Sequence, residues 1–563
     1  MAKVTINGEV VKVKSGTTIL NAVNSIGIEI PTLCFIKEIN EIGFCRICVV
    51  EVEGEQDLVS ACNTEIKNGM VITTDSEKVM NSRTATLQLL ASKHRFDCWR
   101  CPKDGMCEFY DLLKQHDVTF EEFGPGYGRN KEQIKGSGIS QDQTKCILCK
   151  RCVAVCSSVV TAKVLKFRDD DGINPIVSPT PGLAFDEAGC IFCGQCVKSC
   201  PTGTLFETSH TNEVEALFRK ADTKVVAQIN KVAAVALQEE FGYEMDTPSE
   251  ETFGRTMQAL KQLGFDEVTT LDFGADMQAY MMGQEFVERL ENNGTFPMIT
   301  TTCPSTTRYF ELYKPELLDH LSKVKTPHIV QGDILKKELL KDQEVKVVTI
   351  DTCTAKKYEI TRDELNNEVD YVLTVRELAK LMKRKNIKLD KVENVEYQET
   401  LTGERIPPVQ GDELIATLNT VSELLDQKAL EPINFKVTTG KDWNEAEGFI
   451  QEATVLINGQ KLNVAVVLGS AAFKTMFAKM EKKQYHLIKM MTCPGGCVNG
   501  GGMPLTKLPL AEVIEKRLKA LGTTNPELPY TNPTHNSLVT KLYNDKLKQE
   551  SLTTYSQKEF KKE

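Results

Sequence analysis

CILCKRCVAVC, residues 146 to 156, and CIFCGQCVKSCP, residues 190 to 201, both spell Cx2Cx2Cx3C, and a proline follows the second run at Pro201. In the two-cluster ferredoxin arrangement the fourth cysteine of each run ligates the other cluster, so a duplicated run accounts for all eight ligands. The spacing predicts one 4Fe-4S centre on Cys146, Cys149, Cys152 and Cys200, and a second on Cys190, Cys193, Cys196 and Cys156. Upstream, Cys34, Cys45, Cys48 and Cys62 follow Cx10Cx2Cx13C. A short Cx2C with two more distant cysteines is the layout of plant-type 2Fe-2S sites, although the first gap here is longer; zinc is the alternative that shares the Cx2C element. Between them, HRFDCWRCPKDGMC offers His94, Cys98, Cys101 and Cys107. Three thiolates and an imidazole can hold a 4Fe-4S cluster of raised potential, and a Cys3His zinc site competes on ligand identity alone.

These sites use fifteen of the nineteen cysteines and leave Cys303, Cys353, Cys493 and Cys497. Each lies where an apolar run gives way to a loop, in FPMITTTCPST, VKVVTIDTCTAKKYE and YHLIKMMTCPGGCVNGGGMP. Loops at the carboxyl edge of an α/β sheet converge readily, so separated cysteines can meet there. The glycines at 495, 496 and 500 to 502 let backbone approach something bulky, and they do not match a phosphate-binding pattern. The alternative is four buried cysteines packing as small apolar residues.

Composition narrows the setting. The 68 basic and 78 acidic side chains give a net charge of -10 without a long basic run, which argues against nucleic acid or an anionic membrane surface as partner. No apolar run approaches the ~18 residues of a membrane span, and the first residues lack the features of a secretory signal. The expected setting is therefore the cytoplasm, where thiols stay reduced and grouped cysteines mean metal or catalysis rather than disulfides. At 563 residues several domains are expected.

The elements that must position these cysteines follow from periodicity. VTINGEVVKV reads as a hairpin about Asn7-Gly8, TTILNAVNSIG as a helix, and ICVVEVEG and GMVITTDS as strands. VMNSRTATLQLLASKH predicts an amphipathic helix ahead of the His94 loop. From about residue 210 the pattern alternates: KVVAQI, EVTTLD, VKVVTI, NVAVVLG and YHLIKMM are buried strands, with SEETFGRTMQALKQLG and YFELYKPELLDHLSKV as helices. The charged, helical tail beyond 505 is expected to wrap the surface. The predicted division is 1-78, 79-125, 126-209 and 210-563.

With its three loops TTTCPST, DTCTAKKYE and MTCPGGCVNGGGMP, the chain resembles the FeFe hydrogenases with a full set of N-terminal iron-sulfur domains. The resemblance implies a multidomain α+β and α/β fold: a β-grasp 2Fe-2S ferredoxin-like domain, a His/Cys3 4Fe-4S domain, a two-cluster ferredoxin-like domain and a large two-lobed α/β domain. It implies one 2Fe-2S cluster, three accessory 4Fe-4S clusters and an H-cluster, a cubane joined through one cysteine to a two-iron unit with carbonyl, cyanide and dithiolate ligands. By position, Cys303, Cys353 and Cys493 would hold the cubane and Cys497 would bridge. Lys356 matches the lysine that hydrogen-bonds a cyanide, and Met491 a methionine packed beside the two irons. The implied activity is reversible hydrogen oxidation and proton reduction, with electrons exchanged with soluble ferredoxin or flavodoxin and the cofactor installed by maturation proteins.

Departures from the family pattern fall on its proton relay. Thr302 stands where a cysteine carries protons, and Met282 stands where a glutamate does; Glu285, Arg289 and Ser322 match the outer relay positions. Lys231, Ala234, His328, Asp351 and Met503 also differ from the family, and Asp351 is expected to pair with Lys231. Loss of positioned proton transfer typically costs ~10²- to 10⁴-fold, so slow turnover is expected. A hydrogen or redox sensor built on the same fold, and an electron-transfer subunit resembling the iron-sulfur subunit of NADH dehydrogenase, are the alternative readings; the second leaves the last four cysteines unexplained.

Overall fold

The computed structural model describes residues 1–119, 133–169, 175–180, 182–365, 367–396, 412–522 and 532–544. The chain forms two compact units, one of residues 1–158, 163–188 and 196–206 and one of residues 159–162, 189–195 and 207–563. The expected boundary at 125/126 lies outside the described residues.

In the first unit the N-terminal strands Ala2–Ile6 and Glu9–Val13 pair antiparallel around Asn7 and Gly8, whose φ angles of 46° and 86° are those a tight hairpin needs. The strand Val71–Thr73 pairs parallel to the first and Val49–Val52 adds beyond it, giving a five-stranded sheet. The helix Ile19–Asn24, N-capped by Thr18, buries Ile19, Leu20, Ala22 and Val23 in the same core as Cys48 and Cys62. The helix Glu77–Ala91 starts at the Ser76 cap and ends just before His94. The two Cx2Cx2Cx3C runs repeat one backbone as well as one spelling: Leu148 and Phe192 are left-handed at φ 60° and 54°, and so are Lys150 and Gly194 at 62° and 72°.

The second unit holds two sheets. Four parallel strands stand in the order Glu267–Thr270, Lys224–Ile229, Val345–Asp351, Tyr371–Thr374. Their near-continuous Val and Ile content is what strands buried on both faces require. Five strands form the other sheet, in the order Met298–Ile299, Leu487–Met491, Gln460–Leu468, Phe449–Ile457, Lys436–Thr439; the first three are parallel and the last two antiparallel.

Two expectations are corrected. YFELYKPELLDHLSKV is not one helix: Pro304–Tyr313 is helical, Lys314 leaves at φ -144°, and Pro315–His320 is a short 3-10 turn. Pro315 has no N–H to continue the ladder and disfavours helical backbone at the residue before it. The tail does more than wrap the surface, because Leu510–Ala520 buries Leu510, Val513, Ile514 and Arg517. Residues 523–531 and 545–563 lie outside the described residues.

Candidate active site and cluster sites

All four leftover cysteines line one cavity of about 180 Å³, together with Lys231, Gln278, Thr302, Asp351, Lys356, Glu413, Lys489 and Met491. Its walls are the carboxyl ends of both sheets. Asn230 and Lys231 follow one strand, Thr352 and Cys353 follow Val345–Asp351, and Cys493 and Cys497 follow Leu487–Met491. Cys303 is the N-cap of Pro304–Tyr313. The loops are tied to one another: Gly502 N–H donates to the Thr352 carbonyl at 2.7 Å, and the Thr306 and Thr492 hydroxyls meet at 3.1 Å. A Cβ on Gly500 would lie 2.4 Å from the Thr352 carbonyl oxygen and one on Gly501 would lie 2.3 Å from that of Cys193, so neither position tolerates a side chain.

Two buried arginines pin these loops through backbone carbonyls, and a third, Arg308, pins the Cys190 run. Arg517 donates to Val498 at 2.7 Å and Pro504 at 3.2 Å while paired with Glu239. Arg376 donates to Gly501 at 2.8 Å and to Met503 while paired with Glu207, and Arg308 donates to Cys190 at 2.6 Å. Sequence reasoning missed all three, since an arginine that pins carbonyls has the same local pattern as a surface one.

The electrostatics confirm the convergence. Burial pushes the Cys353 thiol well above its usual range, and Cys303, Asp351 and Cys493 push it further. Burial also raises Cys497, as do Asp351 and Cys303, while Lys356 and Lys489 pull it down. The sulfurs surround a space rather than a point: among the described residues no three His, Cys, Asp or Glu side chains close on a single ion. Four thiols around a cavity of this size fit a bulky cluster.

Lys356 Nζ lies 2.7 Å from Asp351 Oδ2, with side chains 8% and 1% exposed. Burial opposes the Lys356 charge, but Asp351, by charge and hydrogen bond, with Cys353 and Glu359, holds its pKa above the usual value. Asp351 thus pairs with Lys356 and not, as expected, with Lys231, which lines the same cavity. Lys489 lies 3.6 Å from Glu413. His328 is fully buried between Glu359 at 2.7 Å and Thr349 at 3.1 Å. Burial and Lys356 lower its pKa against the pull of Glu359 and Asp351. Ala234, His328 and Met503 are buried but do not line the cavity.

The helix Asp272–Glu291 carries Met282, Glu285 and Arg289, three of the positions expected in a proton relay. Gln278, Met282, Glu285 and Arg289 are spaced four, three and four residues apart, which puts them on one face. The Thr302 hydroxyl donates to Gln278 Oε1 at 2.8 Å, and Gln278 Nε2 donates to the Lys325 carbonyl at 2.9 Å. Met282 is fully buried in an apolar cluster with Met281, Phe286 and Cys303. Glu285 is paired with Arg289 at 2.7 Å and accepts from the Ser322 hydroxyl at 2.7 Å.

In the first unit, Cys34, Cys45, Cys48 and Cys62 lie close enough to shift one another: a hydrogen bond from Cys45 lowers the Cys34 thiol to about 6, and one from Cys62 lowers Cys48. His94, Cys98, Cys101 and Cys107 line one small pocket, and Cys146, Cys149, Cys152 and Cys200 line another. Cys156 and Cys196 belong to the first unit, and Cys190 and Cys193 to the second.

Among the described residues no helix is long and apolar enough to cross a membrane. Residues 223–501 match the C-terminal domain of the iron only hydrogenase large subunit, residues 1–77 a 2Fe-2S iron-sulfur cluster binding domain and residues 145–204 a 4Fe-4S dicluster domain. The chain is 33% identical to the NADP-reducing hydrogenase subunit HndD of Solidesulfovibrio fructosivorans, over 96% of this chain and 95% of that one. It is 34% identical to iron hydrogenase 1 of Clostridium pasteurianum, over 96% of each. A variant of the apo FeFe-hydrogenase HydA1 of Chlamydomonas reinhardtii superposes with a TM-score of 0.55 at 24% identity, over 62% of this chain and 98% of that one, which is a likeness of fold.

Proposed function

The chain belongs to the FeFe hydrogenase family, and from that premise we propose that it interconverts hydrogen with protons and electrons at the four-cysteine cavity, slowly. The observation that carries this reading is the convergence of Cys303, Cys353, Cys493 and Cys497, from separate loops, on one space. Cys303, Cys353, Cys493 and Cys497 would hold the H-cluster, the first three its cubane and the last the link to its two-iron unit. When bound, the H-cluster supplies the irons at which hydrogen is split or formed and the first acceptor for its electrons.

The chain's own residues do the rest. Lys356, kept charged by Asp351, would present a strong donor to an anionic cyanide. Met491, 7% exposed on the cavity wall, would pack beside the two irons. Glu285, held between Ser322 and Arg289, stands at the outer end of the route, but Met282 has no proton to pass and the Thr302 hydroxyl is committed to Gln278, so the inner half of the route is broken. The amino-terminal cysteines and His94 would hold three 4Fe-4S clusters and one 2Fe-2S cluster, which would supply an electron path toward soluble ferredoxin or flavodoxin in the cytoplasm; maturation proteins would install the two-iron unit.

The likeness to HndD along nearly the whole chain favours a second reading of the partner, a hydrogenase subunit that passes electrons toward NADP. Met282 and Thr302 favour a second reading of the role, a hydrogen or redox sensor. Infrared spectra of the matured protein test the cofactor, and carbonyl and cyanide bands are expected. Hydrogen uptake with a dye then tests turnover, and reduction of added ferredoxin set against NADP tests the partner. A cluster-loaded protein without diatomic bands refutes the proposal.

A further inference from the structure

Two buried ion pairs wall the same cavity, one from each sheet. Asp351 and Lys356 belong to the end of Val345–Asp351 and the helix after it, at 2.7 Å. Lys489, from the middle of Leu487–Met491, lies 3.6 Å from Glu413 in the first turn of Asp412–Asp426, with side chains 6% and 9% exposed. Along a strand alternate residues share a face, so Lys489 points to the same side as Met491, and both line the cavity. The Cys497 sulfur lies within electrostatic reach of both ammoniums.

A buried ion pair contributes little net stability over well-packed apolar residues of similar volume, so folding alone gives no reason to set one in a cavity wall. An anionic occupant does. An ammonium has three N–H groups, so a carboxylate neighbour does not saturate it. Glu413 lies 3.6 Å from Lys489, a longer contact than the 2.7 Å that Asp351 makes with Lys356.

We infer that Lys489 is a second recognition donor for the anionic two-iron unit, so that the cyanide-bearing group is gripped by an ammonium from each sheet. The inference rests on the H-cluster reading above. Lys489 and Glu413 act as a unit: the carboxylate positions the ammonium, and the ammonium would hold the anion on the cavity wall beside Cys497.

The test uses full-length protein carrying its iron-sulfur clusters but produced without maturation proteins. A synthetic two-iron complex with carbonyl, cyanide and dithiolate ligands is added, and uptake is followed by infrared bands. Lys489→Met is combined with Glu413→Leu so that no charge is left buried alone, and Lys489→Arg is made separately. Charge-assisted hydrogen bonds of this kind are worth about tenfold to a hundredfold in binding. The wild type is expected to take up the complex. The double variant should take it up at least tenfold more weakly, with a displaced cyanide band. Lys489→Arg should retain uptake but shift that band, because the donor geometry changes. Equal uptake and unshifted cyanide bands in the double variant overturn the inference; if that variant does not fold, an unshifted band in Lys489→Arg overturns it. Failure of the wild type to take up the complex refutes the H-cluster reading itself, and this inference with it.

Discussion

Restoring the inner relay by Thr302→Cys with Met282→Glu tests the explanation of slow turnover. Met282 is fully buried among Met281, Phe286 and Cys303, so a glutamate placed there keeps its methylenes in apolar contact but desolvates its carboxyl. Burial, and Glu285 three residues on, both disfavour its charged form, so it should stay protonated near neutral pH, as a proton carrier must. The new proton has an acceptor in place: Thr302→Cys removes the hydroxyl now donating to Gln278 Oε1 at 2.8 Å, one helical turn upstream. The exchange should cost about 1 to 3 kcal/mol of stability, for a buried polar group partly satisfied. Against that stands a barrier reduction of roughly 3 to 5 kcal/mol, the equivalent of ~10²- to 10⁴-fold in proton transfer. The assay is hydrogen evolution from reduced dye, normalised to cofactor content by infrared, in H2O and D2O. Either change alone leaves one gap and should gain little. The double variant should gain at least tenfold and lose most of the solvent isotope effect. An unchanged normalised rate would falsify the broken-relay explanation.

Glu285→Gln should slow the restored double variant by about tenfold while leaving the wild type nearly unaffected, because a route already cut at Met282 does not feel a second cut; the same evolution assay reads both. Cys497→Ala should abolish carbonyl and cyanide bands while the signals of the amino-terminal clusters in paramagnetic resonance persist. Acid should weaken the second unit through His210, whose pKa burial and Lys357 lower to about 3. An unfolded histidine titrates near 6.5, so as pH falls below that value the unfolded chain binds a proton that the folded one refuses, and stability present above pH ~6.5 drains away toward pH ~3 at up to roughly 1 kcal/mol per pH unit. His210→Asn keeps an acceptor for the Val372 N–H, which now donates to His210 Nδ1 at 3.2 Å, and should flatten thermal stability against pH over that window.

The cysteine groups were legible because cluster ligation writes itself into spacing, and the strands behind them because a parallel sheet buried on both faces demands unbroken apolar runs. The hairpin of Phe449–Ile457 and Gln460–Leu468 carries the same Asn-Gly signal, at Asn458 and Gly459, as the amino-terminal one. It was readable by the rule that found Asn7-Gly8. Other features were not readable by any local rule. Gln278 meets Thr302 across 24 residues and Glu413 meets Lys489 across two elements, and no periodicity encodes such pairs. The choice of Lys356 over Lys231 for Asp351 depends on a strand turning directly into the helix Ala355–Glu359, which brings position 356 back over 351.

The arrangement of positive charge explains how four thiols can be gathered before anything binds them. Cys353 and Cys497 are pushed up by burial and by neighbouring acidic groups, so at neutral pH their thiols hold their protons and repel little. Nothing in those neutral sulfurs orders the loops. Order comes from Arg376 and Arg517, whose guanidiniums bind backbone carbonyls of the loop after Cys493 and whose fixed charge no pH change removes. Each thiol that later becomes a ligand must shed its proton, which couples cluster uptake to pH and gives Lys356 and Lys489 work to do at Cys497, where both favour the thiolate. Loop geometry and ligand charge are therefore set by different residues. A change at Arg517 should loosen the cradle without altering the chemistry of its sulfurs, whereas one at Lys489 should do the reverse.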